Sequence, residues 1–435
     1  MCNERMMPKC DRSLRFRPMR PAPLTSVELF SGAGGLALGV ARAGFTHRLL
    51  LEYNRHACNT LRANKSAFGP ECSIHEGDVK EFDFVPFAGV DLLAAGAPCQ
   101  PFSIAGKHRT HSDERNLFPQ VFRAMREMRP KAVIIENVKG LLRESLAEFV
   151  EYIELQMATP HVLAADPLNP DLWQAHLKEL RRKRDAETDL RYSVSKVLLN
   201  SADFGVAQKR ERVFFVAIRE DLSAEWSPPL PTHSQSALRL AMEINGEYWQ
   251  RHGLSRRSMP THPKFGLWSR SAGESAPWQT VRDVLRGLPT PRTGQESESI
   301  ANHVGQAGAK SYPGHTGSPL DAPAKTLKAG VHGVPGGENM LRNANGTVRY
   351  FTVREAARIQ AFPDEYVFTG ASGEAMRQIG NAVPVRLAEA VAVSVRSVLA
   401  SAGPSDASST ANVPRRPPSR RRELQQEVLP LLHSA

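Results

Sequence analysis

Val27-Glu28-Leu29-Phe30-Ser31-Gly32-Ala33-Gly34-Gly35-Leu36 decides the fold. The first four residues read as a strand, the next five as a glycine-rich turn, and 36–43 as the start of a helix. Glycines let the backbone approach a ligand closely, and a helix N-terminus offers free amides to an anionic group. Gly32, Gly34 and Ala37 satisfy the G-x-G-x-x-A form of the dinucleotide-binding turn. Glu52 follows Gly32 by 20 residues at the end of the next strand pattern, where a carboxylate grips ribose hydroxyls. Asp78, in Glu76-Gly77-Asp78-Val79 after the third strand, suits an adenine amino group. On these residues alone NAD, S-adenosylmethionine and an unliganded turn all remain open.

Outward from this turn, 26–30, 49–52, 92–95 and 132–135 are the strand candidates, separated by helical patterns. That alternation predicts a parallel sheet covered on both faces. The run Val90-Asp91-Leu92-Leu93-Ala94-Ala95 ends at Gly96-Ala97-Pro98-Cys99-Gln100, which puts a thiol at the carboxyl end of a strand. Open α/β sheets place their chemistry there. A later strand ends in Glu136-Asn137-Val138. Residues 141–190 look helical, with a basic run over 178–184 read as a solvated face, and 193–199 and 213–218 are two further strands. Gln208, Arg210 and Arg212 lie in the polar turn between them, and alternate extended residues share one face.

Composition narrows the class. Hydrophobic residues make up 41%, enough for a substantial core. No apolar run approaches the roughly 20 residues that span a bilayer, and the N-terminus lacks a secretory apolar core. The five cysteines, Cys2, Cys10, Cys58, Cys72 and Cys99, follow no disulfide or zinc pattern, so no metal and a reducing, intracellular setting are expected. Net charge is +11, of which residues 1–20 contribute +4 and 401–435 contribute +2. The basic remainder favours a polyanionic partner, most simply nucleic acid. The expected organisation is a disordered basic arm at 1–24, a catalytic and cofactor-binding domain at 25–220, a loop-rich Pro/Gly/Ser/His/Arg segment at 221–346, a return to the first domain at 347–400, and a disordered tail at 401–435. Helical pattern resumes over 353–361 and 387–399.

Six motifs stand in series: Phe30-Ser31-Gly32-Ala33-Gly34-Gly35, Pro98-Cys99-Gln100-Pro101-Phe102-Ser103, Glu136-Asn137-Val138, Gln208-Lys209-Arg210-Glu211-Arg212, Arg354-Glu355-Ala356-Ala357-Arg358-Ile359-Gln360 and Gln378-Ile379-Gly380-Asn381-Ala382-Val383-Pro384. In this order the chain resembles the bacterial DNA (cytosine-5)-methyltransferases of restriction–modification systems. The resemblance implies a Rossmann-like α/β sheet of the S-adenosylmethionine-dependent type, with a smaller, loop-rich target-recognition domain at 221–346. It implies S-adenosylmethionine as cofactor, held by Phe30, Gly32, Gly34, Gly35, Glu52, Tyr53, Asp78, Val79, Pro98, Leu117, Asn381 and Val383. The C-terminal helix should therefore fold back beside the first strand, so that both ends of the chain build one domain.

The same resemblance assigns the chemistry. Cytosine C5 is a poor nucleophile until a thiolate adds to C6, and Cys99 is the expected nucleophile. An ordinary thiol has a pKa of about 8.5, so nearby amides or cations would have to lower it. Glu136 would share a proton with N3, Arg212 would contact O2, and Arg210 would support the site, with phosphate contact or structural ion pairing for Arg210 equally open. Double-stranded DNA is the expected partner, with the target base flipped out. Gln100, Ser103, Lys107, Arg109 and Gln208 are expected on the DNA, and 326–333 is a candidate base-reading loop against a background of ordinary loop packing. A cognate restriction endonuclease, a monomeric state and a cytoplasmic, nucleoid-associated location follow by analogy. Weaker alternatives are RNA cytosine methylation, whose enzymes carry a Cys-Phe-Thr signature absent after Cys99, a non-catalytic DNA-binding module, and an NAD-dependent oxidoreductase.

Overall fold

Apolar runs buried on both faces build the central sheet, as parallel strands between two helical layers require. A computed structural model describes residues 23–98, 116–163, 170–184, 188–255, 274–330 and 338–402. Its strands β1 (Thr25–Leu29), β2 (Thr46–Glu52), β3 (Ser73–Glu76), β4 (Leu92–Ala95), β5 (Ala132–Val138), β6 (Tyr192–Asn200) and β7 (Glu211–Arg219) lie in the order β3-β2-β1-β4-β5-β7-β6. The first five are parallel. β7 runs antiparallel between β5 and β6. The chain leaves β1 toward β2 on one side, and β4 occupies the other side, so a crevice opens at the carboxyl ends of β1 and β4.

Helices α1 (Gly35–Arg42), α2 (Arg55–Ala63), α3 (Phe118–Met128), α4 (Ala147–Ala158) and α5 (Pro170–Lys183) accompany these strands. The basic run on α5 is partnered at Arg181 by Glu151 and at Arg182 and Lys183 by Glu179. Small elements follow: β8 (His233–Ser234), β9 (Ala276–Pro277), β10 (Ser318–Pro319), β11 (Met340–Arg342) and β12 (Val348–Tyr350), with α6 (Gln235–Arg239), α7 (Glu247–Arg251) and α8 (Val281–Leu285). Helices α9 (Val353–Ile359), α10 (Ser372–Asn381) and α11 (Val385–Ser401) complete the described chain.

Alternation along the strands divides the core. Val27, Leu29, Leu93, Ala95, Val133 and Ile135 pack with Phe122 of α3, Ile153 of α4 and Leu177 of α5. Leu92, Ala94, Ala132 and Ile134 pack with Leu36 and Val40 of α1 and Leu387 and Val391 of α11. The last helix thus returns onto the helix that follows the first strand. A boundary at residue 346 cuts through a hairpin, because β11 and β12 pair antiparallel across it and β10 joins them. Three-residue strands are too short to interrupt a helical reading of 347–400. The described residues up to Ala402 gather into one compact unit. Among the described residues, no helix is long and apolar enough to cross a membrane.

Candidate active site

The turn after β1 is held in an unusual backbone. Phe30 takes a left-handed φ of 57°, and Gly32 and Gly34 follow at 52° and 82°. A non-glycine residue there costs on the order of 1–3 kcal/mol, and such strain gathers at ligand sites. Glu52 fixes the turn: its carboxylate accepts from the Gly32 amide at 2.8 Å and from the Asn54 amide at 2.7 Å. Each oxygen keeps a further lone pair for a hydroxyl.

Two cavities, of about 400 and 510 Å³, adjoin at Phe30, Glu52 and Pro98. The first runs from Gly32 and Gly35 to Asn381 and Val383, and reaches Glu136, Arg210 and Arg212. The second is walled by Tyr53, Asp78, Val79 and Leu117. All the expected cofactor residues line one or both, except Gly34. That glycine is the N-cap of α1, and its α-carbon faces the Tyr366 hydroxyl, Leu61 and Phe68 in the core. Tyr53 is 77% exposed beside the second cavity, an open aromatic face. Asp78 accepts from the Lys80 amide at 2.9 Å.

Glu136 and Arg212 come together through the antiparallel β5–β7 pair, where Val138 stands opposite Arg212. Arg212 Nε lies 2.8 Å from Glu136 Oε1, and both side chains are about 11% exposed. Burial pushes the Glu136 carboxyl above its ordinary range, against the pull of Arg212 and Arg210. Asn137 donates to the Ala97 carbonyl at 3.1 Å and so ties the end of β5 to the turn that leads into Pro98. Cys99, Gln100, Ser103, Lys107 and Arg109 lie outside the described residues.

The basic motif turns inward at two of its residues, which changes the expectation for Gln208. Gln208 is fully buried: it donates to Gln360 at 2.9 Å and accepts from the Leu327 amide at 2.7 Å, so it presents no edge to DNA. Arg210 is also buried and, among the described residues, has no carboxylate on its fork. It donates to the carbonyls of Leu327 at 2.7 Å and Gly380 at 2.6 Å. The start of the candidate reading loop packs on this motif through the Leu327 backbone and the Thr326 hydroxyl. Thr326 donates to the Lys209 carbonyl, and Lys328 pairs with Glu338; 331–333 lie outside the described residues.

Some residues at the cavity have no role assigned from the sequence. Glu374, Arg377 and Gln378 line it from α10, beside Asn381. Their i, i+3, i+4, i+7 spacing was the available signal for one helix face. Glu28 is buried to 1% at the cavity's edge, with one carboxylate oxygen lacking a partner among the described residues. Burial raises its pKa well above the ordinary range, helped by the nearby charge of Glu52. Among the described residues no cluster of three or more His, Cys, Asp or Glu could hold a metal.

A profile of the family described as C-5 cytosine-specific DNA methylase matches residues 24–158 and 172–397. The Type II methyltransferase M.NgoMIV of Neisseria gonorrhoeae is 33% identical over 84% of this chain and 95% of its own length. The Type II methyltransferase M.Eco47II of Escherichia coli is also 33% identical, over 86% of this chain and 79% of its own. Among solved structures, the S. pombe Dnmt2 methyltransferase matches with a TM-score of 0.53 at 17% identity, covering 86% of this chain and 99% of that one. That last likeness concerns the fold alone.

Proposed function

The chain belongs to the C-5 cytosine-specific DNA methylase family, and from that premise we propose that it methylates C5 of a cytosine flipped out of a specific double-stranded DNA sequence, through a transient bond between Cys99 and C6. The observation that carries the reading is the buried Glu136–Arg212 pair, set in the same cavity as the glycine turn.

S-adenosylmethionine fits the paired cavities. Glu52 would take the ribose hydroxyls, Asp78 the adenine amino group, and Phe30 and Tyr53 the ring faces, with Val79, Pro98 and Leu117 around them. Gly32, Gly35, Asn381 and Val383 would line the methionine end. Bound there, the cofactor supplies an electrophilic methyl group.

The chain's own residues do the rest. The Cys99 thiolate adds to C6, and the displaced electron pair moves toward N3 and O2. Glu136, whose pKa burial pushes up against the pull of Arg212, shares a proton with N3, so negative charge does not accumulate on the ring. Arg212 orients that carboxyl and faces O2. C5 is then nucleophilic. After methylation the C5 proton leaves to a water or hydroxide, and elimination restores the thiolate. Asn137, through Ala97, positions the turn that carries the sulfur. Flipping the base costs a few kcal/mol of unpairing. Gln100, Ser103, Lys107 and Arg109 would recover part of it on the DNA, and loops of 221–346 would read base edges. We place the enzyme in the bacterial cytoplasm on the nucleoid, acting as a monomer. The relatives' Type II names support a role in protecting sites from a cognate endonuclease.

Bisulfite sequencing of host DNA after expression tests the activity and returns the target. Cys99→Ser should bring methylation down to background while S-adenosylhomocysteine still binds. Near-normal turnover in that variant, or a wild type that never becomes covalently attached to a duplex carrying 5-fluorocytosine at the target, overturns the adduct.

A further inference from the structure

Arg210 is an expensive residue to bury. Its guanidinium is within the field of Glu136, but that carboxylate is already paired with Arg212, and the Arg210 Nε has no partner among the described residues. A buried charge without its own counter-ion costs several kcal/mol. A neutral side chain would fill the space at less cost, so the fork must do something that a neutral group cannot.

What the fork does is join two segments. One Nη donates to the Leu327 carbonyl, in the segment 324–330 that faces the basic motif, and the other to the Gly380 carbonyl, one residue before Asn381 in the cofactor cavity. These segments meet backbone to backbone. A Cβ at Gly380 would stand 2.3 Å from the Lys328 carbonyl carbon and 2.4 Å from the Ala329 nitrogen, so the seam has no slack. Gln208 runs a second connection beside the first. It accepts from Leu327 and donates to Gln360, whose own amide holds the Ile379 carbonyl. The segment 207–209, just ahead of β7, is also pinned to 324: Ala324 donates to the Ala207 carbonyl and Lys209 to the Ala324 carbonyl. Two residues further along, Arg212 holds Glu136.

We propose that Arg210 is a positioning residue that couples the segment 324–330, which opens the candidate reading loop, to the cofactor-side turn at Gly380 and Asn381, so that target DNA and cofactor strengthen each other's binding. The inference rests on the methyltransferase reading above. A displacement of 328–329 by DNA is passed directly to 380–381, because a close-packed seam shifts as a unit. Coupling of this kind is reciprocal, and typical values begin at about fivefold in affinity.

The test titrates S-adenosylhomocysteine calorimetrically into the full-length enzyme. It is run alone, with a short duplex carrying the sequence that bisulfite sequencing returns, and with a scrambled duplex. In the wild type the target duplex should tighten binding at least about fivefold over the scrambled one. Arg210→Lys keeps the charge but loses the two-carbonyl fork, and should bring that ratio close to one. Gly380→Ala should do the same by opening the seam without touching the charge. Urea unfolding and near-UV circular dichroism establish that each variant is folded, and Gln208→Asn carries the same expectation where either is not. A folded variant with the wild-type ratio overturns the inference, as does a wild type that binds both ligands with a ratio of one. A wild type that methylates no cytosine or binds no S-adenosylhomocysteine defeats the functional reading instead.

Discussion

Glu136 and Glu28 are both buried acids in one cavity, and their surroundings give them different work. Glu136 has Arg212 on it, which fixes its direction while burial keeps its pKa raised. Glu136→Gln keeps the shape and removes the transferable proton. Turnover should fall about a hundredfold to ten-thousandfold, the range for a positioned acid or base. S-adenosylhomocysteine affinity should stay within about threefold, under ~0.7 kcal/mol. Single-turnover methylation and calorimetry measure the two, and equal losses in both would remove the N3 role. Among the described residues, Glu28 has no cation beside it. The Ala37 amide of α1 lowers its pKa only partly against desolvation, so the folded protein holds a proton that the unfolded chain releases above pH 4.5. The group therefore stabilises on the acid side, and that stability drains as pH rises through its raised folded value. His47, whose ring contacts the Ala37 carbonyl and Ser26, works the other way. Burial lowers its pKa to about 4, so its contribution is complete above 6.5 and is lost as pH falls toward 4. Glu28→Gln should leave the His47 dependence alone and remove the alkaline loss. The difference in unfolding free energy from wild type should grow with pH, by at most about 1.4 kcal/mol per unit. Urea midpoints taken between about pH 5 and 8 check this, since parallel curves would mean that Glu28 does not retain its proton.

At the scale of elements, the joint between α1 and α11 makes one domain of the two chain ends. Gly39 is its closest point: a Cβ there would meet the Ala388 Cβ at 2.4 Å, the Glu389 nitrogen at 2.6 Å and the Val385 carbonyl at 2.8 Å. Helix propensity favours Gly→Ala by roughly 0.5–1 kcal/mol. Overpacking against backbone costs about 1–3 kcal/mol and should win. Gly39→Ala is therefore expected to lower stability by about 1–2 kcal/mol, read from the urea midpoint at unchanged slope. An unchanged or raised midpoint would show that the helices can separate freely. Much of this level was legible in the chain. Leu92-Leu93-Ala94-Ala95 and Ala132-Val133-Ile134-Ile135 are continuous apolar runs because both faces are covered, and the motif with Asn381 implied the returning helix. The direction of β7 was not legible, since a run such as Val213–Ile218 has the same local pattern whichever way its neighbours point. Alternation put Gln208, Arg210 and Arg212 on one face. It could not say that the first two face inward, because that depends on 324–330 arriving from more than a hundred residues away. The same limit hid Glu28, whose place among strand residues looks ordinary until α1 covers it.

Over the whole molecule, about half of the net charge lies at the two ends of the chain, outside the cavity residues. The cavity residues, from Glu28 to Val383, all precede the end of α11 at Ser401. Residues 1–20 add +4, and 401–435 add +2 through five arginines and three acids. Each basic side chain that neutralises a phosphate contributes about 0.9 to the slope of log affinity against log salt, so the five arginines can contribute at most about 4.5. Such contacts act over about 10 Å at 0.1 M salt and do not choose a sequence. A chain shortened after Ala402 should therefore methylate the same sites as the full chain, with turnover within about twofold, ~0.4 kcal/mol in the barrier. Its DNA affinity should fall at low salt and converge on the full-length value as salt rises, with a shallower slope. Removing 1–20 should act in the same direction. Filter binding across a salt series, with bisulfite sequencing of the products, separates the outcomes. Loss of methylation at moderate salt, where affinities have converged, would mean that a segment beyond α11 completes the catalytic unit.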